Sequence, residues 1–144
     1  MAATVLSFAN FKGGVGKTST TALVGYNLSN LGYKVLIIDF DAQANLTSLL
    51  LKTKSAVDDI ITIDKSLMGA INDQIPLTDI TIEIKKNLTL IPNAVDFSMY
   101  PRYLERNYDN ETDRVSFFKK LLEPLKSEYD FIFIDVPPTL SLLN

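Results

Sequence analysis

The amino-acid sequence predicts a doubly wound α/β fold with a mostly parallel sheet. Short, continuous apolar runs such as Val35-Leu36-Ile37-Ile38 and Phe131-Ile132-Phe133-Ile134 read as strands buried on both faces. Between such runs lie longer stretches with apolar residues at helical spacing. A glycine-rich turn, Gly13-Gly14-Val15-Gly16, joins the first strand to the first helix. Alternation of strand and helix implies helices packed on both faces of one sheet.

Each element has its own justification. Strand one is expected over about Val5 to Asn10. Helix one is expected to begin near Thr18, to bury Val24, Leu28 and Leu31, and to end at Gly32, a residue suited to the left-handed position after a helix. The next strand, Val35 to Ile38, runs straight into Asp39-Phe40-Asp41. Short helices are expected over Leu46 to Leu51 and Ser66 to Ile71, and an extended segment over Asp79 to Ile84. Leu88-Thr89-Leu90-Ile91 reads as a strand closed by Pro92. Helices follow over Phe97 to Tyr108 and Asp113 to Lys126. The second carries Val115, Phe118, Leu122 and Leu125 on one face, with Asp113 as its N-cap. The last strand is Phe131 to Ile134, ending in Asp135.

Composition bounds the function. With 144 residues, 47% hydrophobic and 22% charged, the chain suits one soluble domain that buries roughly 70% of its unfolded surface. No apolar run reaches the ~20 residues needed to span a bilayer, so no membrane partner is expected. Met1-Ala2-Ala3-Thr4 lacks the basic region and apolar core of a secretory signal, and a cytoplasmic location is expected. The absence of cysteine and histidine excludes disulfides, iron–sulfur clusters, a zinc site and histidine acid–base chemistry. The net charge of −3 conceals an asymmetry. Residues 1–56 hold five lysines against two aspartates, and the remainder nine basic against fifteen acidic residues. The basic surplus falls where phosphates are expected, while the chain as a whole is a poor non-specific DNA binder.

Lys12-Gly13-Gly14-Val15-Gly16-Lys17-Thr18 carries the strongest chemical signal. It follows an apolar strand and precedes a helix, the context a phosphate loop requires. Glycines let the backbone approach phosphates and turn its N–H groups inward, and the helix adds its positive N-terminal end. Lys17 then sits against the β- and γ-phosphates, and the Thr18 hydroxyl ligates Mg²⁺. The standard motif has a glycine where this chain has Phe11, and a second lysine, Lys12, stands directly before the glycine pair. The bland alternative is a plain glycine turn with two solvated lysines, yet a turn does not require two lysines at this spacing.

Open α/β sheets bind ligands beyond the carboxyl ends of their strands. Two apolar strands here run into aspartate, Ile38 into Asp39 and Ile134 into Asp135. Each carboxylate either holds a hydrated Mg²⁺ on a bound nucleotide or caps the turn that follows. Beside the phosphate loop the metal reading is favoured, above all for Asp135.

Three segments together carry a family resemblance: Lys12 to Thr18, Ile37-Ile38-Asp39-Phe40-Asp41-Ala42-Gln43-Ala44-Asn45, and Phe133-Ile134-Asp135-Val136-Pro137-Pro138. The chain resembles the N-terminal portion of the ParA/Soj-type partition ATPases, P-loop NTPases with a deviant Walker A motif, whose relatives include MinD and the nitrogenase iron proteins. Leu90-Ile91-Pro92-Asn93 is also similar to the ParA branch. The resemblance implies ATP and Mg²⁺ as ligands and the following roles. Lys12 is the signature lysine that reaches the triphosphate of a partner subunit. Gly13, Gly14 and Gly16 shape the loop, Val15 and Ser19 complete the nucleotide-binding set, and Lys17 holds the β/γ-phosphates. Thr18 ligates Mg²⁺. Asp39 assists the metal shell or pairs with the signature lysine, Asp41 orients the attacking water, and Asp135 reaches Mg²⁺ through water. Lys12, Lys17 and Asp41 are thus the catalytic set.

The resemblance further implies an ATP-dependent homodimer, a ParB-like centromere-binding partner that stimulates hydrolysis, and non-specific DNA binding with nucleoid association in the ATP state. Ala42 and Ala44 replace the proline and glycine that the family often has. Family members also run considerably further, so the expectation is a single ATPase domain over 1–144 lacking the C-terminal strands, the base-recognition segment and the helices for DNA or membrane contact. A sheet cut in this way is expected to self-associate through an apolar edge, with poor turnover.

Other readings stay open at this level. A membrane-cycling regulator of the MinD type would carry a C-terminal amphipathic helix, absent from this sequence. A nitrogenase-type carrier needs cysteines and is excluded. A nucleotide-free interaction module predicts no ATP affinity. The stretch Tyr100 to Tyr108 mixes aromatics with Arg102 and Arg106, which fits a nucleic-acid surface or, more simply, an amphipathic flank helix. Lys85-Lys86 and Lys119-Lys120 read as solvated faces. Asp58-Asp59 and Asp109-Asn110-Glu111 read as loop or helix-start acids.

Overall fold

The structure, a computed structural model, describes residues 3–9, 15–41, 43–55 and 65–136. In chain order the elements are β1 (Thr4–Ala9), α1 (Val15–Asn30), β2 (Val35–Asp39), α2 (Asn45–Ser55), α3 (Leu67–Asn72), β3 (Ile82–Lys85), β4 (Leu88–Ile91), α4 (Tyr100–Asn107), α5 (Glu111–Leu122) and β5 (Phe131–Val136). Single 3₁₀ turns cover Leu77–Ile80, Val95–Met99 and Glu123–Leu125.

The five strands form one sheet in the order β1-β5-β2-β4-β3. All neighbours run parallel except β3, which pairs antiparallel with β4. The strand period of two sorts side chains to opposite faces. Leu36 and Ile38 of β2, Ile91 of β4 and Ile132 and Ile134 of β5 join Met68, Tyr100, Leu104, Phe118 and Leu122 in one apolar layer under α3, α4 and α5. Val35, Ile37, Leu88, Leu90 and Phe133 face the other way and meet Ala22, Leu46 and Leu50 under α1 and α2. The predicted three-layer α/β arrangement is therefore observed, and the strands read as buried on both faces are so.

Several boundaries differ from the sequence reading. Helix α1 begins at Val15 rather than near Thr18, taking Val15, Gly16 and Lys17 into its first turn. Its buried face is made of Thr18, Thr21, Ala22, Gly25 and Ser29, while Leu31 is 74% exposed. The expected face of Val24, Leu28 and Leu31 is therefore corrected: Val24 and Leu28 only flank the contact. Gly32 does take the left-handed position after the helix, with φ 95°. Asp79 to Ile84 is not continuously extended. Leu77–Ile80 winds into a 3₁₀ turn that buries Leu77 and Ile80 before β3 starts. The segment Phe97 to Tyr108 opens as a 3₁₀ turn and becomes α-helical only at Tyr100, with Pro101 in the first turn. Asn110, not Asp113, caps α5: its Oδ1 accepts the Asp113 N–H at 2.8 Å, and its Nδ2 donates to Asp113 Oδ2 at 3.0 Å. Asp113, three residues on, thus supplies both the N–H that is capped and a side-chain acceptor for the cap. Beyond Leu122 the chain tightens into a 3₁₀ turn instead of continuing to Lys126.

Candidate nucleotide site

Topology makes the site. β5 inserts between β1 and β2, so the carboxyl ends of three parallel strands stand side by side. Phe8 of β1 and Asp39 of β2 are both level with Asp135 of β5. The chain leaving β1 at Ala9 enters α1 at Val15, which puts the N-terminus of a 16-residue helix over this edge. The first N–H groups of such a helix have no intrahelical acceptor and carry its positive dipole end.

Lys12, Gly13 and Gly14 lie outside the described residues, as do Pro137 and Pro138. Val15, Gly16 and Lys17 open α1, and the first turn carries Thr18 inward and Ser19 outward. The Thr18 hydroxyl donates to Asp135 Oδ2 at 3.5 Å, and both residues are buried. Asp39, also buried, lies across from Asp135 in the sheet register. Thr18, Asp39 and Asp135, named from three separate segments, thus share one edge.

Asp39 is held by donors. Its Oδ2 accepts the Thr47 hydroxyl at 2.7 Å and the Thr47 N–H at 2.9 Å, and its Oδ1 accepts the Asp41 N–H at 3.2 Å. Burial nevertheless pushes its carboxyl up to about 6, helped by the negative field of Asp135; the bonds from Thr47 and Asp41 act in the opposite direction. Asp41 is half-buried and turns its Oδ1 toward the Gln43 N–H at 3.0 Å. Asn93, just past β4, donates from Nδ2 to the Asp41 carbonyl at 3.2 Å. Thr47 had no role in the sequence reading, and Asn93 entered only as part of the Leu90-Ile91-Pro92-Asn93 run. One available signal was a lone threonine amid Leu46, Leu49 and Leu50.

The donor set is all oxygen: one hydroxyl and two carboxylates, the hard ligands Mg²⁺ prefers. Among the described residues no group of three or more carboxylates forms a protein cage. That suits Mg²⁺, which keeps several waters and takes the rest of its shell from substrate phosphates. The residues present fit the ion.

A helix N-terminus and two buried strand-end carboxylates on one sheet edge define a phosphate-binding α/β protein of the P-loop type. The family model described as an AAA domain matches residues 3–144. The chain is 37% identical over 141 residues to the chromosome-partitioning ATPase Soj of Treponema pallidum, covering 96% of this chain and 50% of that protein. Among solved structures, cobyrinic acid a,c-diamide synthase from Mycobacterium smegmatis, with bound ADP and magnesium, superposes with a TM-score of 0.80 at 29% identity, over 99% of this chain and 54% of that one. A plasmid partition protein from Borrelia burgdorferi matches with a TM-score of 0.79 at 26% identity, over 99% of this chain and 58% of that one. The chain belongs to this AAA-domain family, in its ParA/Soj branch. It spans about half the length of the curated relatives it matches.

Proposed function

We propose that the chain is the nucleotide-binding portion of a ParA/Soj-type ATPase, a single domain over 1–144 that binds ATP with Mg²⁺. In this reading ATP brings two copies together, and the ATP-bound homodimer binds DNA non-specifically through regions outside this chain. A ParB-like centromere-binding protein then stimulates hydrolysis and resets the dimer. The observation that carries the reading is the meeting of Thr18, Asp135 and Asp39 beside the α1 N-terminus.

The chain's own groups divide the work. N–H groups of the glycine turn and of α1, with Lys17, bind the phosphate tail. Thr18, Asp135 and Asp39 would hold the cation, which would supply positive charge against the phosphates. Hydrolysis of a phosphoanhydride passes through a loose transition state, so aligning the water matters more than deprotonating it. Asp41, exposed enough to meet solvent and tethered at its backbone, aligns that water. Lys12 supplies charge to the site of the other subunit, as an arginine finger does, a contribution of order 10³–10⁵ in rate. Chemistry then waits on dimerisation, and no observation of this chain favours the membrane-cycling alternative.

Titration calorimetry with ATP and Mg²⁺ tests the reading directly. The wild-type chain should bind, and Lys17→Ala should abolish binding. Asp41→Ala should retain binding but lose turnover. No heat from the wild-type chain at millimolar nucleotide would sink the proposal, and normal hydrolysis by Asp41→Ala would remove the role given to Asp41.

A further inference from the structure

The hydrogen bonds around Asp39 run in one direction. The Thr47 hydroxyl has a single proton, and it is given to Asp39 Oδ2 at 2.7 Å. The Thr47 hydroxyl oxygen in turn accepts the Asn93 N–H at 3.0 Å. Asn93 then turns its side chain to a second target: Nδ2 donates to the Asp41 carbonyl at 3.2 Å, while Oδ1 accepts the Ala94 N–H at 2.9 Å. Asp41 closes the circuit by donating its N–H to Asp39 Oδ1 at 3.2 Å. Thr47 and Asn93 are 2% and 1% exposed, so these bonds are made away from water. They come from different elements, Thr47 from the first turn of α2 and Asn93 from the exit of β4.

We propose that Thr47 and Asn93 are positioning residues for ATP hydrolysis, fixing the main chain of Asp39 to Asp41 so that the Asp41 carboxylate stays aimed at the water. The inference rests on the ATPase reading above. Neither side chain belongs to the phosphate loop or to the residues assigned to the cation. Both act through Asp41: its N–H is tied to Asp39, which Thr47 anchors, and its carbonyl is tied to Asn93. With Oδ1 engaged by the Gln43 N–H, only the other carboxylate oxygen is left uncommitted by that turn. A carboxylate that aligns water must be held within roughly 0.5 Å, and a 1 Å misplacement costs about 10²-fold in rate. Asn93 reaches the site only through the Asp41 main chain, so loosening its tie should act on turnover rather than on affinity, whereas Thr47 also steadies Asp39 beside the cation.

Steady-state hydrolysis separates these effects. Thr47→Val keeps the β-branched shape but removes both the donor to Asp39 and the acceptor for Asn93. Asn93→Ala removes the tie to the Asp41 carbonyl while keeping the N–H that Thr47 accepts. Both should lower kcat by about 10- to 100-fold, and for Asn93→Ala KM and the affinity for a fluorescent ATP analogue should stay within about 3-fold of wild type. Thr47→Ser retains the hydroxyl and should restore most of the rate. Unchanged kcat in both variants overturns the inference, as does a parallel loss of kcat and affinity that serine fails to rescue. If Thr47→Val does not fold, Asn93→Ala decides alone, since it spares the buried Thr47–Asp39 bond. A wild-type chain that binds no ATP removes the underlying ATPase reading, whereas wild-type turnover matched by the variants removes only the clamp.

Discussion

Ala44 adopts a left-handed backbone, with φ 56°, in the loop between β2 and α2. Its N–H donates to the Asp41 carbonyl at 2.9 Å and its carbonyl accepts the Ser48 N–H at 3.0 Å, so the conformation winds the loop into α2. An L-residue with a Cβ pays about 1–2 kcal/mol there, while glycine costs about 0.4–1 kcal/mol more in the unfolded chain. Ala44→Gly should therefore stabilise the protein by about 0.5–1 kcal/mol in thermal unfolding. Destabilisation would contradict the assigned backbone. Asp39 offers a second test at this scale. Its folded carboxyl titrates near 6 against 3.8 for the ordinary group, so the native state holds a proton more tightly than the unfolded chain. The stability tied to that proton is complete below 3.8 and is lost as pH rises through about 6, at most about 3 kcal/mol for a group this buried. Without nucleotide, the urea midpoint should fall as pH is raised from about 5 to about 7. Mg²⁺ and an ATP analogue should flatten that fall, because a cation favours the ionised carboxylate. A midpoint that rises across the same window would show that Asp39 does not carry this linkage.

At the scale of elements, α1 lies close to the sheet because the residues facing it are small. A Cβ on Gly25 would stand 2.8 Å from Ile37 Cδ1 and 3.4 Å from Leu88 Cδ1. Gly25→Ala has offsetting consequences, since alanine favours the helix while Ile37 must move. Gly25→Val has no such offset, and overpacking should cost about 1–3 kcal/mol, read as a lower denaturation midpoint. A neutral Gly25→Val would mean that α1 is not held at this distance. Hydrophobic periodicity misses such a face, because it registers large apolar side chains and this contact selects against them. In α5, likewise, the sequence pointed to Asp113 as the cap, but the backbone places Asn110 at that position, with its Oδ1 on the Asp113 N–H.

On the scale of the whole molecule, β1 is the exposed flank. Among the described residues it pairs on one side only, with β5, and Leu6 in the middle of the strand is 43% exposed. On α1, Leu23 is 61% exposed, and Leu31 just past its end is 74% exposed. A parallel strand with one open edge and an exposed apolar side chain is a template for another chain. The 144-residue chain should therefore self-associate in a concentration-dependent way, with light scattering giving a mass above 16.0 kDa. Leu6→Lys should reduce that association by placing charge on the edge. A monomer of 16.0 kDa at high concentration would show that this flank is not adhesive.

The sequence by itself determined the α/β class, the five strand positions within a residue or two at most ends, and the ParA/Soj branch of the family. It also singled out Thr18, Asp39 and Asp135, because strand runs and the phosphate-loop pattern are local signals with a fixed period or spacing; Asp41 came from the family resemblance alone. Only the tertiary structure decided that β5 lies between β1 and β2, which makes Asp39 and Asp135 neighbours across 96 positions of sequence. It alone revealed Thr47 and Asn93, since a hydrogen bond between residues 46 positions apart leaves no periodic trace in either segment. Local patterns specify elements; the order in which those elements pair is settled by burying two apolar faces at once.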